Sequence, residues 1–423
     1  MKFLTWQHPE QLIVAQDVIN NVKLKSCGIK VEMKFIFRTF FCGTGDCLFL
    51  VLKNGEDEMF IMVDCGKYTN EIDIFVRNEL KNKIDYLIVT HIDNDHINGL
   101  VSMLSQNHDL VIGHIIYNCY QRNEDTVKTW TKKMKENVIR LYGQLPIVDD
   151  IMNQNINEQK AVTLAECILQ NDEWKTVWQK GYVTDQSPVI QLANDMGRIV
   201  FLSPSMTALE QLDKKYRKLF WKCLFKQKME DYNHEETIYE ALMRIAQIDE
   251  EVVEEENVKD YTLNEETLRQ HAASKLQKMN DNNIASIAFV WEHQGHRILF
   301  MGDADPIQVS NAIENVYKEE QKPIIFDLIK VSHHGSAHST AHELMNVADS
   351  ERFFFTGGSN KRPSIETLGR IITTPLPKGI EYREIRYNRQ NGILNELSAL
   401  TDDNKKQLHI KVRDNENSYE VSY

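Results

Sequence analysis

The chain opens its patterned region with short apolar runs separated by turn residues. Residues 35–41, 47–52, 59–63 and 86–89 are rich in Phe, Leu, Ile and Val, the pattern of strands buried on one or both faces. Gly43-Thr44-Gly45-Asp46 and Asn54-Gly55 supply the turns between the first three. Residues 70–82 instead space their apolar side chains as a helix does, with Ile72, Ile74, Phe75 and Leu80 on one side. Strand, strand, strand, helix, strand predicts a sheet covered by helices. A helix over 98–104 and a strand over 110–117 continue it, with His114 packed or at an edge rather than a ligand. A hairpin follows over 189–192 and 198–202, then strands over 283–291 and 297–301 and a helix over 307–316. Strands over 326–331 and 352–356, a helix over 365–372, a strand over 384–387 and a β-rich end at 409–412 and 418–421 complete the pattern.

Where the run 86–89 ends, the chain turns abruptly polar: Thr90-His91-Ile92-Asp93-Asn94-Asp95-His96. The bland reading is a solvated loop. Buried charge, however, must be paired or bound to metal, and a strand end can aim several side chains at one point. A His/Asp mixture suits Zn²⁺ or Mn²⁺. Two later strands end in comparable groups, Gly302-Asp303-Ala304-Asp305 and Ser332-His333-His334-Gly335-Ser336. Asp64, at the end of the third strand, suits support of the polar loop or a helix cap.

Composition narrows the picture. The 423 residues suffice for one large domain with insertions or for two, and 42% hydrophobic content supports a sizeable core. A net charge of −13 argues against a generally basic nucleic-acid wrapper. Seven cysteines without a C-x-x-C pair fit reduced thiols, hence a cytoplasmic setting. No apolar run approaches the length of a membrane span. Lys132, Lys133, Lys135 and Arg140 read as one solvated helix face. Residues 206–280 look inserted: a basic-aromatic helix over 209–225, an acidic run over 249–256, and a helix over 263–279. That insertion suits a lid or a docking segment for a protein partner.

The run THIDNDH resembles the His-x-His-x-Asp-His signature of the metallo-β-lactamase superfamily, with Asp93 where most members carry the second His. Together with residues 43–46, 302–305 and 332–336, that variant is similar to the soluble hydrolase domain of ComEC-type DNA-uptake competence proteins. The resemblance covers 35–100, 189–205 and 283–395. It implies an α/β fold, an αββα sandwich over 33–423, with an N-terminal appendage over 1–32 and the helical insertion near 206–280. It implies one or two divalent ions (Zn or Mn, with Mg possible) on His91, Asp93, Asp95, His96, Asp303 and the His333–His334 pair. Asp303 would bridge the ions, Asp64 would support the loop, Asp46 would orient a ligand and Asp95 would position the attacking water. One of His333 and His334 would complete the site, and the other would contact substrate phosphate or donate a proton.

Two departures stand out. Most members supply another metal-binding His near Ser203-Pro204, and this chain has none there. Arg362-Pro363 replaces a frequent His-Pro, so Arg362 would bind phosphate instead. Swapping an imidazole for Asp93 hardens the site towards Mn²⁺ or Mg²⁺. The activity implied is a phosphodiesterase or nuclease acting on DNA, another nucleic acid or a nucleotide. Two further readings stay open: a hydrolase of a small molecule (cyclic nucleotide, lactam or thioester), or a partner-binding subunit of a bacterial defence system that keeps the fold.

Overall fold

The computed structural model describes residues 32–119, 163–223, 240, 263–276, 278–359, 362–389, 392–414 and 417–423. Residues 1–31 of the appendage expected over 1–32, the basic stretch 132–140 and the acidic run 249–256 lie outside them, as do the side chains of 216–223.

Two sheets form the body. The first has the order β16-β1-β2-β3-β4-β5, from β1 (Met33–Thr39), β2 (Leu48–Asn54), β3 (Asp57–Val63), β4 (Lys83–Val89), β5 (Val111–Tyr117) and the last strand, β16 (Ser418–Ser422). The second has the order β15-β14-β13-β11-β9-β8-β7-β6. Its strands are β6 (Ile190–Gln191), β7 (Arg198–Phe201), β8 (Phe289–His293), β9 (His296–Phe300), β11 (Leu328–Lys330), β13 (Arg352–Phe355), β14 (Arg383–Tyr387) and β15 (Ile410–Asp414). A separate pair joins β10 (Ile324–Phe326) to β12 (Ala348–Ser350).

Alternation along each strand explains the layers. In β2, Leu48, Leu50 and Leu52 meet Phe289, Trp291, Ile298 and Phe300 of the opposite sheet in one core. Phe49 and Val51, pointing the other way, pack under helices α1 (Asn70–Ile74), α2 (Asn94–Gln106), α3 (Leu164–Gln170) and α4 (Asp172–Val177). In β9 the same split sends Ile298 and Phe300 inward and Leu299 outward. That outer face lies beneath α8 (Pro306–Val316), α9 (His342–Val347), α10 (Ile365–Thr373) and α11 (Gly392–Ala399). Three apolar layers thus separate helix, sheet, sheet and helix: an αββα sandwich. Strands buried on both faces read as unbroken apolar runs, which is why the sequence shows them so clearly.

Several boundaries differ from the sequence pattern for local reasons. The helix after β4 starts at Asn94, inside the polar motif, not at 98. The helix after β3 passes into a π-turn over Phe75–Glu79, so its buried side is Ile72, Phe75, Val76 and Leu80, while Ile74 is 48% exposed. The run 326–331 is two strands in different sheets, broken at Asp327, whose carboxylate accepts from Arg297 N and pairs with His296. Residues 283–285 are not strand but belong to, or follow, a short helix, α7 (Asp281–Ile284). The helix expected over 263–279 is confined to α6 (Glu265–Ala272), and α5 (Met206–Cys223) precedes it. The two C-terminal strands part company: β15 joins the second sheet and β16 the first. Two helices there, α11 and α12 (Asp402–Gln407), were not expected.

Cys42, Cys47, Cys65, Cys119 and Cys167 are buried free thiols. His114 is exposed and stacks on Tyr86. Among the described residues no helix is long and apolar enough to cross a membrane.

Candidate metal centre

Five strands end at one rim of the sandwich, and each end delivers a polar side chain. β3 leads to Asp64, β4 to Thr90 and His91, β9 to Asp303, β11 to His333 and His334, and β13 to Thr356. The carboxyl ends of parallel strands are where side chains and loops can converge without breaking a ladder.

Asp64 organises the first half. It is fully buried and sits at φ 56, a left-handed conformation that Asp tolerates better than most residues. One carboxylate oxygen accepts from Thr90 N at 2.7 Å. The other accepts from Thr90 Oγ1 at 2.6 Å and faces His96 Nδ1 at 2.8 Å. Because Thr90 spends its only hydroxyl proton on Asp64, it can only accept from His91 Nδ1, 2.9 Å away. Both imidazoles therefore carry their Nδ1 proton outward and turn Nε2 towards the centre. His334 does the same from the other sheet, with Nδ1 2.8 Å from Thr356 O.

The Nε2 atoms of His91 and His96 flank Asp303. His96 Nε2 lies 3.3 Å from Asp303 Oδ1, and His91 Nε2 lies 3.8 Å from Asp303 Oδ2. Asp93 Oδ2 stands 3.4 Å from His91 Nε2, and Asp95 Oδ2 stands 3.2 Å from His334 Nε2. Two groupings result in which all donor atoms lie within 4.8 Å of one another: His91, His96 and Asp303, and Asp95, His96 and His334. Asp46, Asp64 and His96 also cluster. That third group is already satisfied: Asp64 has three partners, and Asp46 binds the ammonium of Lys330 and the hydroxyl of Thr356.

All seven expected ligands thus meet, including both members of the histidine pair. Alternation at a strand end would have sent His333 and His334 to opposite faces. Instead both adopt left-handed backbone, φ 48 and φ 54, in a tight turn that brings both to the same rim. His333 Nε2 lies 3.7 Å from Asp303 Oδ2, and the ring is held by Ser336 Oγ at 3.0 Å and Asn283 Nδ2 at 3.2 Å. His342 binds Ala272 O instead.

Close backbone approach requires glycine at two points. A Cβ on Gly45 would stand 1.5 Å from Asp95 O, and one on Gly302 would stand 2.6 Å from Ser286 Oγ. Gly45 packs its turn on the metal motif within the first half, and Gly302, whose Cβ would also stand 2.9 Å from Thr90 Cβ, brings the two halves together.

The electrostatics are those of a cation site. Asp46, Asp64, Asp93, Asp95 and Asp303 converge on this rim, where Lys330 pairs with Asp46 and lies 4.0 Å from Asp303, a carboxylate-rich setting that suits divalent ions. Burial opposes charging His96, yet Asp303, Asp64 and Asp95 push its pKa well above the usual imidazole range. Burial likewise opposes charging His334, but Asp46, Asp303 and Asp95 raise it to about 9. Such imidazoles hold protons that a metal ion would replace. Burial would raise Asp303, but the imidazolium charges of His96 first and then His334 hold it well below the carboxylate range. His333 goes the other way: burial first, then the charge of Arg362, keep it neutral. His91 Nε2, His96 Nε2, His334 Nε2 and Asp303 Oδ1 are buried without a hydrogen bond. Buried polar atoms are normally satisfied, so four orphans around one point fit divalent ions.

Lys330, Asn282, Asn283, Ser286 and Thr356 were not picked out from sequence. Lys330 left one faint signal, the single cation in the run Leu328-Ile329-Lys330-Val331. The others are ordinary polar residues that only packing brings to the rim.

Replacing Asp64 with Asn should keep the fold and weaken metal binding about 10- to 100-fold, the cost of losing the outer partner that sets a ligand's tautomer. Calorimetric titration with Mn²⁺ or Zn²⁺ checks this; an unchanged affinity would remove Asp64 from the support role.

Residues 42–166 match the family model described as the metallo-beta-lactamase superfamily. The match spans Asp46, Asp64, His91, Asp93, Asp95 and His96, while Asp303, His333 and His334 lie beyond it. Among solved structures, the chain is similar to the metallo-beta-lactamase fold protein YhfI from Bacillus subtilis, with TM-score 0.34 and 8% identity, over 93% of this chain and 100% of that one. No curated protein matches the chain.

Proposed function

We propose that this chain, built on the metallo-β-lactamase fold, is a divalent-metal-dependent phosphodiesterase that cleaves nucleic acid. Superfamily members are typically metal-dependent hydrolases, and the observation that carries the metal is the ring of buried, unsatisfied donors at His91, His96, His334 and Asp303. Phosphodiester chemistry is the narrower step. It is supported by the oxygen-rich donor set, with Asp93 in place of an imidazole, and by the motifs similar to ComEC-type hydrolase domains.

His91, Asp93 and Asp303 would hold one ion, with His333 beside them; Asp95, His96, His334 and Asp303 would hold the other. Bound divalent ions make a strong nucleophile of water at neutral pH and stabilise charge on a phosphoryl oxygen. Asp303 would serve both positions, since Oδ1 faces His96 and Oδ2 faces His91 and His333. Asp95, whose side chain is 21% exposed, is the acid best placed to orient an incoming water. Neutral His333 offers substrate a hydrogen bond, and Arg362, whose charge reaches His333, offers a phosphate its guanidinium. Asp64, Thr90 and Thr356 keep each imidazole proton on Nδ1 and so keep each Nε2 turned inward.

The test is incubation of the purified chain with labelled DNA, RNA and cyclic nucleotides in Mn²⁺, Mg²⁺ or Zn²⁺. Cleavage of polymer, lost in EDTA and in Asp95→Ala, is the expected result. No ester cut with any metal would end the proposal; hydrolysis of a lactam or thioester alone would move the reading to a small substrate.

A further inference from the structure

The position held by His91, Asp93 and Asp303 lacks the histidine that the resembled signature leads one to expect near Ser203-Pro204. Something else occupies that side of the rim. The segment 282–287, entering from α7, runs alongside the metal motif and is bonded to it throughout. Ile287 N donates to Thr90 O at 2.8 Å, and Ser286 Oγ accepts from Asp303 N at 3.0 Å. Ser203 pins this segment from behind: its hydroxyl donates to Ser286 O at 2.7 Å and accepts from Ala288 N at 2.8 Å. The step that would have carried the missing imidazole therefore anchors a different strip of chain.

At the head of that strip stands Asn282. It is 1% exposed, and its Nδ2 donates to Asp93 Oδ1 at 3.3 Å. Its carboxamide oxygen is buried and has no hydrogen bond. The amide lies against a ligand carboxylate through Nδ2, and its carbonyl oxygen, buried with no donor, has the chemistry of a neutral ligand for a cation. Asn carbonyls are common ligands for hard divalent ions.

We infer that Asn282 completes the first metal position through Oδ1, in place of the absent histidine, an inference that rests on the metal-dependent reading above. The donor set there gains a further oxygen, with Asn282, Asp93 and Asp303 beside the imidazole of His91 and those of His96 and His333 close to Asp303. Such a set selects Mn²⁺ or Mg²⁺ over Zn²⁺ more strongly than the Asp93 exchange does alone. Asn283, the next residue, also has a buried carboxamide oxygen without a hydrogen bond, but its Nδ2 faces the His333 ring at 3.2 Å rather than Asp93.

The experiment is metal titration of the full chain by calorimetry, with bound metal counted by elemental analysis, for wild type, Asn282→Ala and Asn282→Asp. Wild type should bind two Mn²⁺ ions. Asn282→Ala should keep one at wild-type affinity and bind the other at least about tenfold more weakly, the scale of losing one coordinating group. Asn282→Asp separates a ligand from a mere prop. A ligand oxygen that gains charge should hold Mn²⁺ at least as tightly as wild type. If Asn282 only donated to Asp93, the new carboxylate would repel Asp93 and weaken binding. Two ions bound by Asn282→Ala with unchanged affinities, or weakened binding by a folded Asn282→Asp, would overturn the inference and leave the hydrolase reading standing. A wild-type chain that binds no divalent ion would overturn both.

Discussion

Asp303→Asn is expected to abolish binding of at least one ion and to lower hydrolysis by at least about 10³-fold, beyond the 10- to 100-fold range for outer partners of a metal ligand. The reason is geometric. Asp303 is 2% exposed and lies between three imidazoles, with Oδ1 3.3 Å from His96 Nε2 and Oδ2 3.8 Å and 3.7 Å from the Nε2 atoms of His91 and His333. An amide at that point keeps the size but loses the charge and one acceptor. Elemental analysis of the variant, beside its activity on the best substrate, measures the effect. Two firmly bound ions in Asp303→Asn would show that the two donor groups do not share this carboxylate.

Lys330→Met should be the most damaging change to stability outside the apolar cores. Lys330 and Asp46 are both fully buried and in direct contact, and Lys330 Nζ also donates to Gly302 O at 3.1 Å. Removing one partner of such a pair leaves a bare charge in low dielectric and costs roughly 3–5 kcal/mol. The damage should not stay local. Asp46 comes from the turn between β1 and β2, Lys330 from β11 and Thr356 from the end of β13, so this cluster ties the two sheets together at the rim. Denaturant unfolding of metal-free protein gives the measurement. Lys330→Met combined with Asp46→Asn should recover a large part of the loss, because the pair acts as a unit. Equal stability of the single variant and wild type would refute this reading of the pair.

Asn282, Lys330 and Asp303 share a feature: each acts across the gap between the two halves of the chain. The first sheet supplies the HIDNDH motif, Asp46 and Asp64; the second supplies Asp303, Lys330 and the His333–His334 turn. The family match at residues 42–166 covers only the first of these halves, so the second rests on geometry.

The apolar pattern by itself determined the buried strands and the helices that cover them; the two-sheet sandwich was implied by the resemblance of the motifs. Strands buried on both faces must be apolar at nearly every position, and polar residues then stand out at their ends. That contrast marked His91, Asp93, Asp95 and His96, while the likeness of further motifs to the metallo-β-lactamase pattern named Asp64, Asp303 and the histidine pair. Tertiary structure alone decided the rest. Left-handed backbone at His333 and His334 turned both rings to one rim, against the alternation a strand end implies. Packing of the sheets buried Lys330 beside Asp46, although a lysine in a strand ordinarily reads as an edge residue. The short helix at 281–284 set Asn282 against Asp93, 189 positions away in sequence. Hydrophobic periodicity reports how a residue sits relative to its own element; which distant polar groups meet depends on how elements are stacked, and one chain's local pattern does not encode that.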